Sequence, residues 1–479
     1  MSVAPPPSLA ASFTLTAGLL ISAALGVAFH LLAARSLEPA GYGAFAAALT
    51  YATLWSIVME AGISVAFTRE AAADRARLGW LPRLVRWKIG LGVAGGAGAV
   101  ASGLLLGAGR DVAWLIGILA LGMVGASGLR LAFAVFRVAG AFRREAIVSS
   151  VQKVALVLFA AGAIALHAGT TGVAVAMLLS YWIAAAMALS RARADVAGSP
   201  PGAPPRRFLL RVCVPLFAVE LLTGVYFKVD QVILLGLKGA EETGLYAAAY
   251  RVIEALLLAV AGSMGVLFLR LASARDDADT FGAHVRRAWL GLWLAGLGLA
   301  VNGWLWAADL LSLVLGAAYV PAQAPLAILL GAVPLAYVNY LLTQSLIARG
   351  RERFYAAGTA VCAAVNVGLN LVLIPEAGAI GAAWASVATE ATLSAICLVG
   401  LGRVVRSIPL APTLIAAAVA ALAVWAGWSL LAERPQSAAI LGAVVSLGLW
   451  ETLSPWPLRQ LAARAAGRRP DSLWRSGLQ

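Results

Sequence analysis

Glu220, Lys228, Asp230, Arg251 and Glu254 interrupt two otherwise apolar stretches of the chain. A charge at the centre of a bilayer costs roughly 2.5–3.5 kcal/mol, so each needs a partner, a wet cavity or a function. Arg251 and Glu254 are three positions apart, on one face of a helix, and can pair with each other. Lys228 and Asp230 are two apart and point in different directions, which calls for partners on another helix or for a polar cavity. Two readings follow. In one, the cluster is an ion-pair clamp, with Lys228 and Asp230 close enough to an interface for long side chains to snorkel. In the other, Lys228 and Arg251 face a central cavity and hold an anionic substrate by charge-assisted hydrogen bonds, Arg bidentately. Asp230, Glu220 or Glu254 then pairs with these cations when the site is empty, or binds a coupling ion. Glu60 and Arg130 are candidates for the opposite wall, although Arg130, near the basic end of its helix, also reads as an interfacial arginine. Arg35 ends the first helix, either capping carbonyls or serving as a further substrate ligand. His30 reads as a hydrogen-bonded interior residue or a proton carrier, and Glu390 has no evident partner.

The elements that must position these groups are membrane helices. With 62% hydrophobic and 12% charged residues, a chain of 479 residues cannot clothe itself in water-facing surface. A span needs about 20 apolar residues, and cutting at charged and Gly/Pro punctuation predicts an all-α, polytopic membrane protein of about fourteen transmembrane helices. They are placed near 10–34, 42–67, 88–109, 112–136, 146–167, 171–190, 209–236, 244–269, 288–308, 323–347, 354–374, 379–401, 411–431 and 437–454. The runs are too long and continuous for the alternating segments of a barrel.

Arg and Lys fall in alternate gaps: Arg69 to Lys88, Arg137 to Lys153, Arg191 to Arg211, Arg270 to Arg287, Arg349 to Arg353, Arg403 and Arg406, and a tail from Arg459 to Arg475. The other gaps hold only Arg35, Arg110, Lys238 and Arg434. The positive-inside rule then places the first set, and both chain ends, in the cytoplasm. The net charge of +14 belongs to anionic lipid headgroups rather than nucleic acid, because the cations sit in short loops beside spans. Cys213, Cys362 and Cys397 lie far apart within apolar segments, which indicates neither disulfide framework nor metal site. No residue set indicates a catalytic centre or a cofactor, and no Walker A loop is present. Pro5 to Pro7, with no preceding basic residue, argue that the first apolar run is retained as a helix. Trp80, Trp87, Trp114, Trp289 and Trp450 read as interfacial anchors.

The chain also repeats itself. Gly43, Phe45 and Ala46 to Ala48 match Gly244, Tyr246 and Ala247 to Ala249 at an offset of 201, and Val65, Phe67 and Arg69 match Val266, Phe268 and Arg270. Ala168, Gly169, Gly172, Ala174 and Ala176 match Ala377, Gly378, Gly381, Ala383 and Ala385 at an offset of 209. Two six-helix lobes in parallel repeat are expected, 1–195 and 209–405, joined by a proline-rich cytoplasmic linker at 196–208. Two additional helices at 406–456 and a basic tail at 457–479 lie outside the repeat.

The run Ala34 to Gly43, the run Phe227 to Gln231 leading to Gly244 to Arg251, and the run Asn366 to Glu390 with Ile374-Pro375 and Gly378 to Ala383 resemble the oligosaccharide flippases of bacterial polysaccharide synthesis. Those belong to a superfamily shared with multidrug and toxin extrusion exporters and the lipid II flippase. The resemblance covers about residues 10 to 405. It implies lobes around a cavity that opens alternately to each side and moves a polyprenyl-diphosphate-linked glycan outward, in the bacterial inner membrane. Membrane lipids and other polysaccharide-assembly proteins are the further partners it implies. Unlike some relatives, this chain has His30 and no arginine in the first helix before Arg35. An ion-coupled multidrug exporter of the same superfamily and a membrane enzyme of polysaccharide assembly are the alternative readings.

Overall fold

The computed structural model describes residues 9–402 apart from Leu106, together with scattered positions between 404 and 419. The helices expected at 411–431 and 437–454, and the basic tail, lie outside the continuously described range. Among the described residues every regular element is helical, and nine helices are long and apolar enough to cross a membrane. The chain is a multi-pass helical membrane protein.

Two of these nine, Ala24–Ala73 and Glu352–Leu401, are 50 residues long. At about 1.5 Å per residue each would measure roughly 75 Å, more than twice the ~30 Å of bilayer hydrocarbon. Neither runs straight. Helix α1 (Leu9–Glu60) breaks at Glu38, with φ 56 and ψ 171, directly before Pro39. Helix α13 (Glu352–Leu401) breaks at Gly378, with φ 54 and ψ −129, just after Pro375. Each is two helical arms joined without a loop, and the arms correspond to the expected spans at 10–34 and 42–67 and at 354–374 and 379–401.

The expected helix at 42–67 is shorter than predicted. Ala61 and Gly62 both have positive φ, which ends α1 at Glu60 and starts a separate helix, α2 (Ile63–Ala73). Then follow α3 (Leu81–Leu105), α4 (Arg110–Val138), α5 (Phe142–Ala165), α6 (Gly169–Val196) and the single turn α7 (Arg206–Phe208). A π turn at Leu209–Cys213 leads into α8 (Val214–Lys238), α9 (Ala240–Ser273) and α10 (Ala278–Leu305). A short helix that the apolar pattern did not separate, α11 (Ala307–Val314), precedes α12 (Gln323–Ala348). The start of α10 has a local cause: the Asp277 carboxylate accepts the Thr280 hydroxyl and the Asp279 and Thr280 backbone N–H groups. The Thr280 hydroxyl bond is the largest influence holding that carboxyl below its usual range.

The chain divides into two compact units, Met1–Ala248 with Asn370–Ala379, and Ala249–Leu369 with Ile380–Gln479. In the first, α4 packs against α1, α3 and α6, and α1 also packs against α5 and α8. Its core gathers Phe67, Leu131, Phe136, Ala188 and Phe208. Gly92, Gly95 and Gly98 turn the glycine run of α3 toward Val124, Met59 and Trp55, whereas Gly90 and Gly96 face open space. In the second, α10 packs on α12, with Gly296 against Pro334. Glu390 has a partner there that sequence did not show, since Asn339 Nδ2 donates to its carboxylate at 2.7 Å. Trp289 is not an interfacial anchor: it is buried, and its indole N–H donates to Thr413 at 3.0 Å.

The repeat persists in backbone geometry. Gly169 and Gly378, matched in sequence, have φ 59 and 54 at the starts of matched helices. A Cβ on Gly43 would lie 1.7 Å from the Ala240 carbonyl oxygen, and one on Gly244 would lie 1.9 Å from the Pro39 carbonyl oxygen. The repeat pairs Pro39 with Ala240 as it pairs Gly43 with Gly244, so the contact is reciprocal. Equivalent helix starts cross at equivalent glycines, as two surfaces related by a two-fold axis must.

Glu242, at the start of α9, supports the break in α13. Its Oε1 accepts the Ala379 backbone N–H at 2.8 Å, beside Gly378. The bond satisfies an orphan donor at a helix start. Glu242→Ala should lower stability by about 1 kcal/mol, the usual cost of losing an N-terminal cap, and Glu242→Gln should recover most of it. Thermal unfolding of the detergent-purified protein compares the two.

Candidate functional site

A cavity of 520 Å³ lies within the first unit, lined by residues of α1, α2, α4 and α8. That volume falls within the roughly 300–1,000 Å³ typical of small-ligand sites. Glu60, the last residue of α1, occupies one wall and Glu220 and Lys228 of α8 another, while Arg130 and Arg137 of α4 complete the charged lining. Thr53, Ser56, Ser64, Thr68 and Thr223 add hydroxyls, and Phe133 and Phe227 aromatic surface.

Glu60 organises the charges. One carboxylate oxygen, Oε2, accepts from Lys88 Nζ at 2.7 Å, Arg130 Nε at 2.9 Å and Ser127 Oγ at 3.0 Å. The other accepts the Ser64 backbone N–H at 3.1 Å. Lys88 is tied down further, donating to the Ser127 carbonyl at 3.1 Å and the Ser127 hydroxyl at 2.8 Å. The positions of α1, α3 and α4 therefore converge on one buried ionic knot.

Lys88 departs from the sequence reading, which put it in a basic loop at the mouth of a helix starting at 88. Helix α3 begins at Leu81, so Lys88 is about two turns inside it, and its side chain is only 4% exposed. A missed signal was available. Glu60 sits in an apolar run with no cation at helical spacing, and Lys88 lies directly between Trp87 and Ile89, with Leu84 and Leu91 about one turn away on either side.

The two cations on Glu60 are in different situations. Lys88 and Glu60 are each 4% exposed and neutralise one another, whereas the Arg130 side chain is 43% exposed and borders the cavity. Arg130 is thus the second positive charge on a carboxylate already matched by the first. Arg137 is paired with Glu145 through contacts of 2.6 to 3.1 Å.

The other sequence candidates fall in different places. Asp230 is buried: its carboxylate accepts the Gln231 backbone N–H at 2.8 Å and the hydroxyl of Tyr246 on α9. Gln231 accepts in turn from Thr50 of α1 at 2.7 Å, so this face of α8 is fastened on two sides. Arg35 is exposed near the break in α1. His30 lies beside the Tyr42 hydroxyl at 3.4 Å, against Phe29. Arg251 and Glu254 pair with each other, as their spacing predicts, and both belong to the second unit. The structure thus brings Glu60, Arg130, Glu220 and Lys228 around one cavity, leaves Asp230 and Arg35 elsewhere in that unit, and adds Lys88 behind the wall.

Comparison with known proteins agrees with this architecture. A lipid II flippase, MurJ, in its inward closed conformation superposes with a TM-score of 0.76 at 13% identity, covering 95% of this chain and 100% of the other. An inward-facing multidrug resistance transporter of the MATE family in the MOP superfamily gives 0.66 at 15% identity, covering 81% and 95%. A MOP superfamily transporter from Pyrococcus furiosus, described as having a binding pocket of reverse polarity, gives 0.57 at 14%, covering 83% and 95%. At these identities the likeness is one of fold. No curated protein sequence matches the chain. The polysaccharide biosynthesis protein family matches residues 8–273, more than half the chain, which contain every helix bordering the cavity. The chain belongs to that polysaccharide biosynthesis protein family.

Proposed function

We propose that this protein is a transporter that flips a polyprenyl-diphosphate-linked oligosaccharide from the cytoplasmic to the outer leaflet of the bacterial inner membrane, for synthesis of cell-surface polysaccharide. Family membership supports the class of product, and the fold shared with the MurJ flippase supports the transport step. The observation that carries the reading is the sharing of one Glu60 carboxylate oxygen by two cations, the buried Lys88 and the cavity-lining Arg130. An arriving phosphate draws Arg130 away without stranding Glu60, and Lys228 borders the same space. Sugar hydroxyls and a diphosphate lose water bonds on entering hydrocarbon, and a cavity lined with hydroxyls and charges replaces them. Across a membrane that is negative inside, outward movement of an anion is favoured by about 2.3 kcal/mol per charge per 100 mV, so the membrane potential contributes to the driving force without ATP.

The lobes 1–195 and 209–405, and a role for Arg251, Arg35, Asp230 and Glu254 in substrate or coupling-ion binding, form part of this proposal. Proteoliposomes carrying a fluorescent lipid-linked sugar, with accessibility to an external reagent as readout, test it. Arg130→Ala and Lys228→Ala should each slow the initial rate at least about tenfold, the loss expected from one charge-assisted hydrogen bond, while gel filtration and thermal unfolding stay near wild type. Unaltered rates in both variants would remove the cavity from the mechanism.

A second reading is an exporter of small cations, favoured by the carboxylates of Glu60 and Glu220 on the cavity wall and by the fold shared with the MATE transporter. Its discriminator is direct: vesicles that extrude an organic cation and leave lipid-linked sugar untouched.

A further inference from the structure

A second cavity, of 320 Å³, lies in the first unit beside the proline-rich segment, with Glu70, Arg77, Trp80, Arg207, Phe208 and Arg211 on its walls. It is separate from the cavity proposed for transport and shares no lining residue with it. Its charges are unevenly matched. Arg77 pairs with Glu70 and reaches Asp74 at 3.4 Å, and its guanidinium lies 5.7 Å over the Trp80 ring. Arg207 and Arg211 are exposed, and among the described residues neither forms an ion pair. Two arginines one helical turn apart therefore project at a cavity whose only carboxylate is already matched.

The walls are firm. Phe208 is buried edge-on against Trp80, with ring centroids 5.6 Å apart. The proline-rich segment is docked here: the Pro200 carbonyl oxygen abuts Gly79, where an added Cβ would lie 1.9 Å from it, and the Gly202 N–H donates to the Gly79 carbonyl at 3.4 Å. Arg211 lies within the π turn at Leu209–Cys213 and Arg207 just before it, and such turns recur at functional sites. Two guanidiniums with free forks, beside an aromatic wall at the arginine-rich end of the bundle, match the geometry and charge of a phosphate group.

We propose that this cavity is a recognition site for a phosphate group, held by Arg207 and Arg211 in front of the Glu70–Arg77 pair. The phosphate belongs either to an anionic lipid headgroup or to a free phosphate ion, and the test separates these sources. The site does not depend on what the protein transports.

Native mass spectrometry of the detergent-purified full chain, titrated with phosphatidylglycerol, measures adduct occupancy with and without inorganic phosphate. Arg207→Gln with Arg211→Gln should bind at least about tenfold more weakly than wild type, the order expected for losing charge-assisted hydrogen bonds, and Lys at both positions should restore part of it. Arg206→Gln, adjacent but outside the cavity lining, is the control and should bind as wild type. Retention of adducts in excess inorganic phosphate identifies the lipid as the source, and displacement with direct phosphate binding identifies the free ion. Equal occupancy in wild type and the double variant, or equal loss in Arg206→Gln, overturns the proposal. Both arginines are exposed and bear no structural bond, and an unchanged unfolding temperature for the double variant verifies that the binding comparison concerns the site.

Discussion

Lys88→Met should destabilise the protein by about 3 kcal/mol, toward the lower end of what breaking a buried ion pair costs. The Glu60 carboxylate stays in place, 4% exposed, and loses its shortest donor. Arg130 Nε and Ser127 Oγ still reach Oε2, which is why the loss is not larger. Thermal unfolding in detergent measures it, with Glu60→Gln and the double variant completing a cycle. The double variant removes both buried charges and should recover a good part of the stability lost by Lys88→Met, because an uncompensated buried ion is worse than an absent pair. If Lys88→Met unfolds at the wild-type temperature, the knot does not hold α1, α3 and α4 together. The same variants separate scaffold from site. Lys88→Met leaves Arg130 alone to neutralise Glu60, so any folded protein should lose transport as Arg130→Ala does, despite an intact Arg130.

A second large effect is expected at the crossing of Gly43 and Gly244. Adding a methyl group at either position places a carbon within 2 Å of a backbone carbonyl oxygen, on Ala240 or Pro39. Backbone cannot rotate aside as a side chain end can, so the two helix starts must move apart. Gly43→Ala and Gly244→Ala should each cost about 3 kcal/mol, the upper part of the range for overpacking a tight contact. Because the contact is reciprocal, the double variant should cost much less than the two singles together, since the first substitution has already opened the crossing. Gly96→Ala is the control: no atom lies within 4 Å of its would-be Cβ, and alanine favours the helix. Wild-type unfolding temperatures for both crossing variants, or strict additivity in the pair, would contradict a shared close approach. Transport assays on the folded fraction add a second readout. Variants that hold these ends apart should transport substrate at least about tenfold more slowly, as expected for a barrier raised by at least 1.4 kcal/mol.

Much of the helical plan was legible because its cause is one-dimensional. Hydrocarbon demands about 20 apolar residues in a row with all backbone groups bonded internally, and the runs at 112–136, 171–190 and 323–347 meet that demand without reference to any neighbour. The observed helices Arg110–Val138, Gly169–Val196 and Gln323–Ala348 differ from them only at the ends. The breaks at Glu38 and Gly378 were legible too, through Pro39, Pro375 and the glycine itself. The break at Ala61 and Gly62 was not, because a single glycine inside an apolar run, with no proline beside it, is a weak signal, and alanine carries none.

The site divided along the same line. That Glu60, Arg130, Glu220 and Lys228 needed explanation followed from their position in apolar runs, and the Arg251–Glu254 pair followed from helical spacing. Sequence also determined the membrane class, the repeat and the family resemblance, because composition, periodicity and ordered matches are properties of the chain as written. Only tertiary structure decided which charges meet. Lys88 became a buried partner of Glu60 although 28 positions separate them, Asp230 took the Tyr246 hydroxyl, and Glu390 found Asn339. The physical reason is that an ion pair is set by distances of about 3 Å between side chains on different helices, and those distances depend on helix rotation and depth, which no linear spacing encodes.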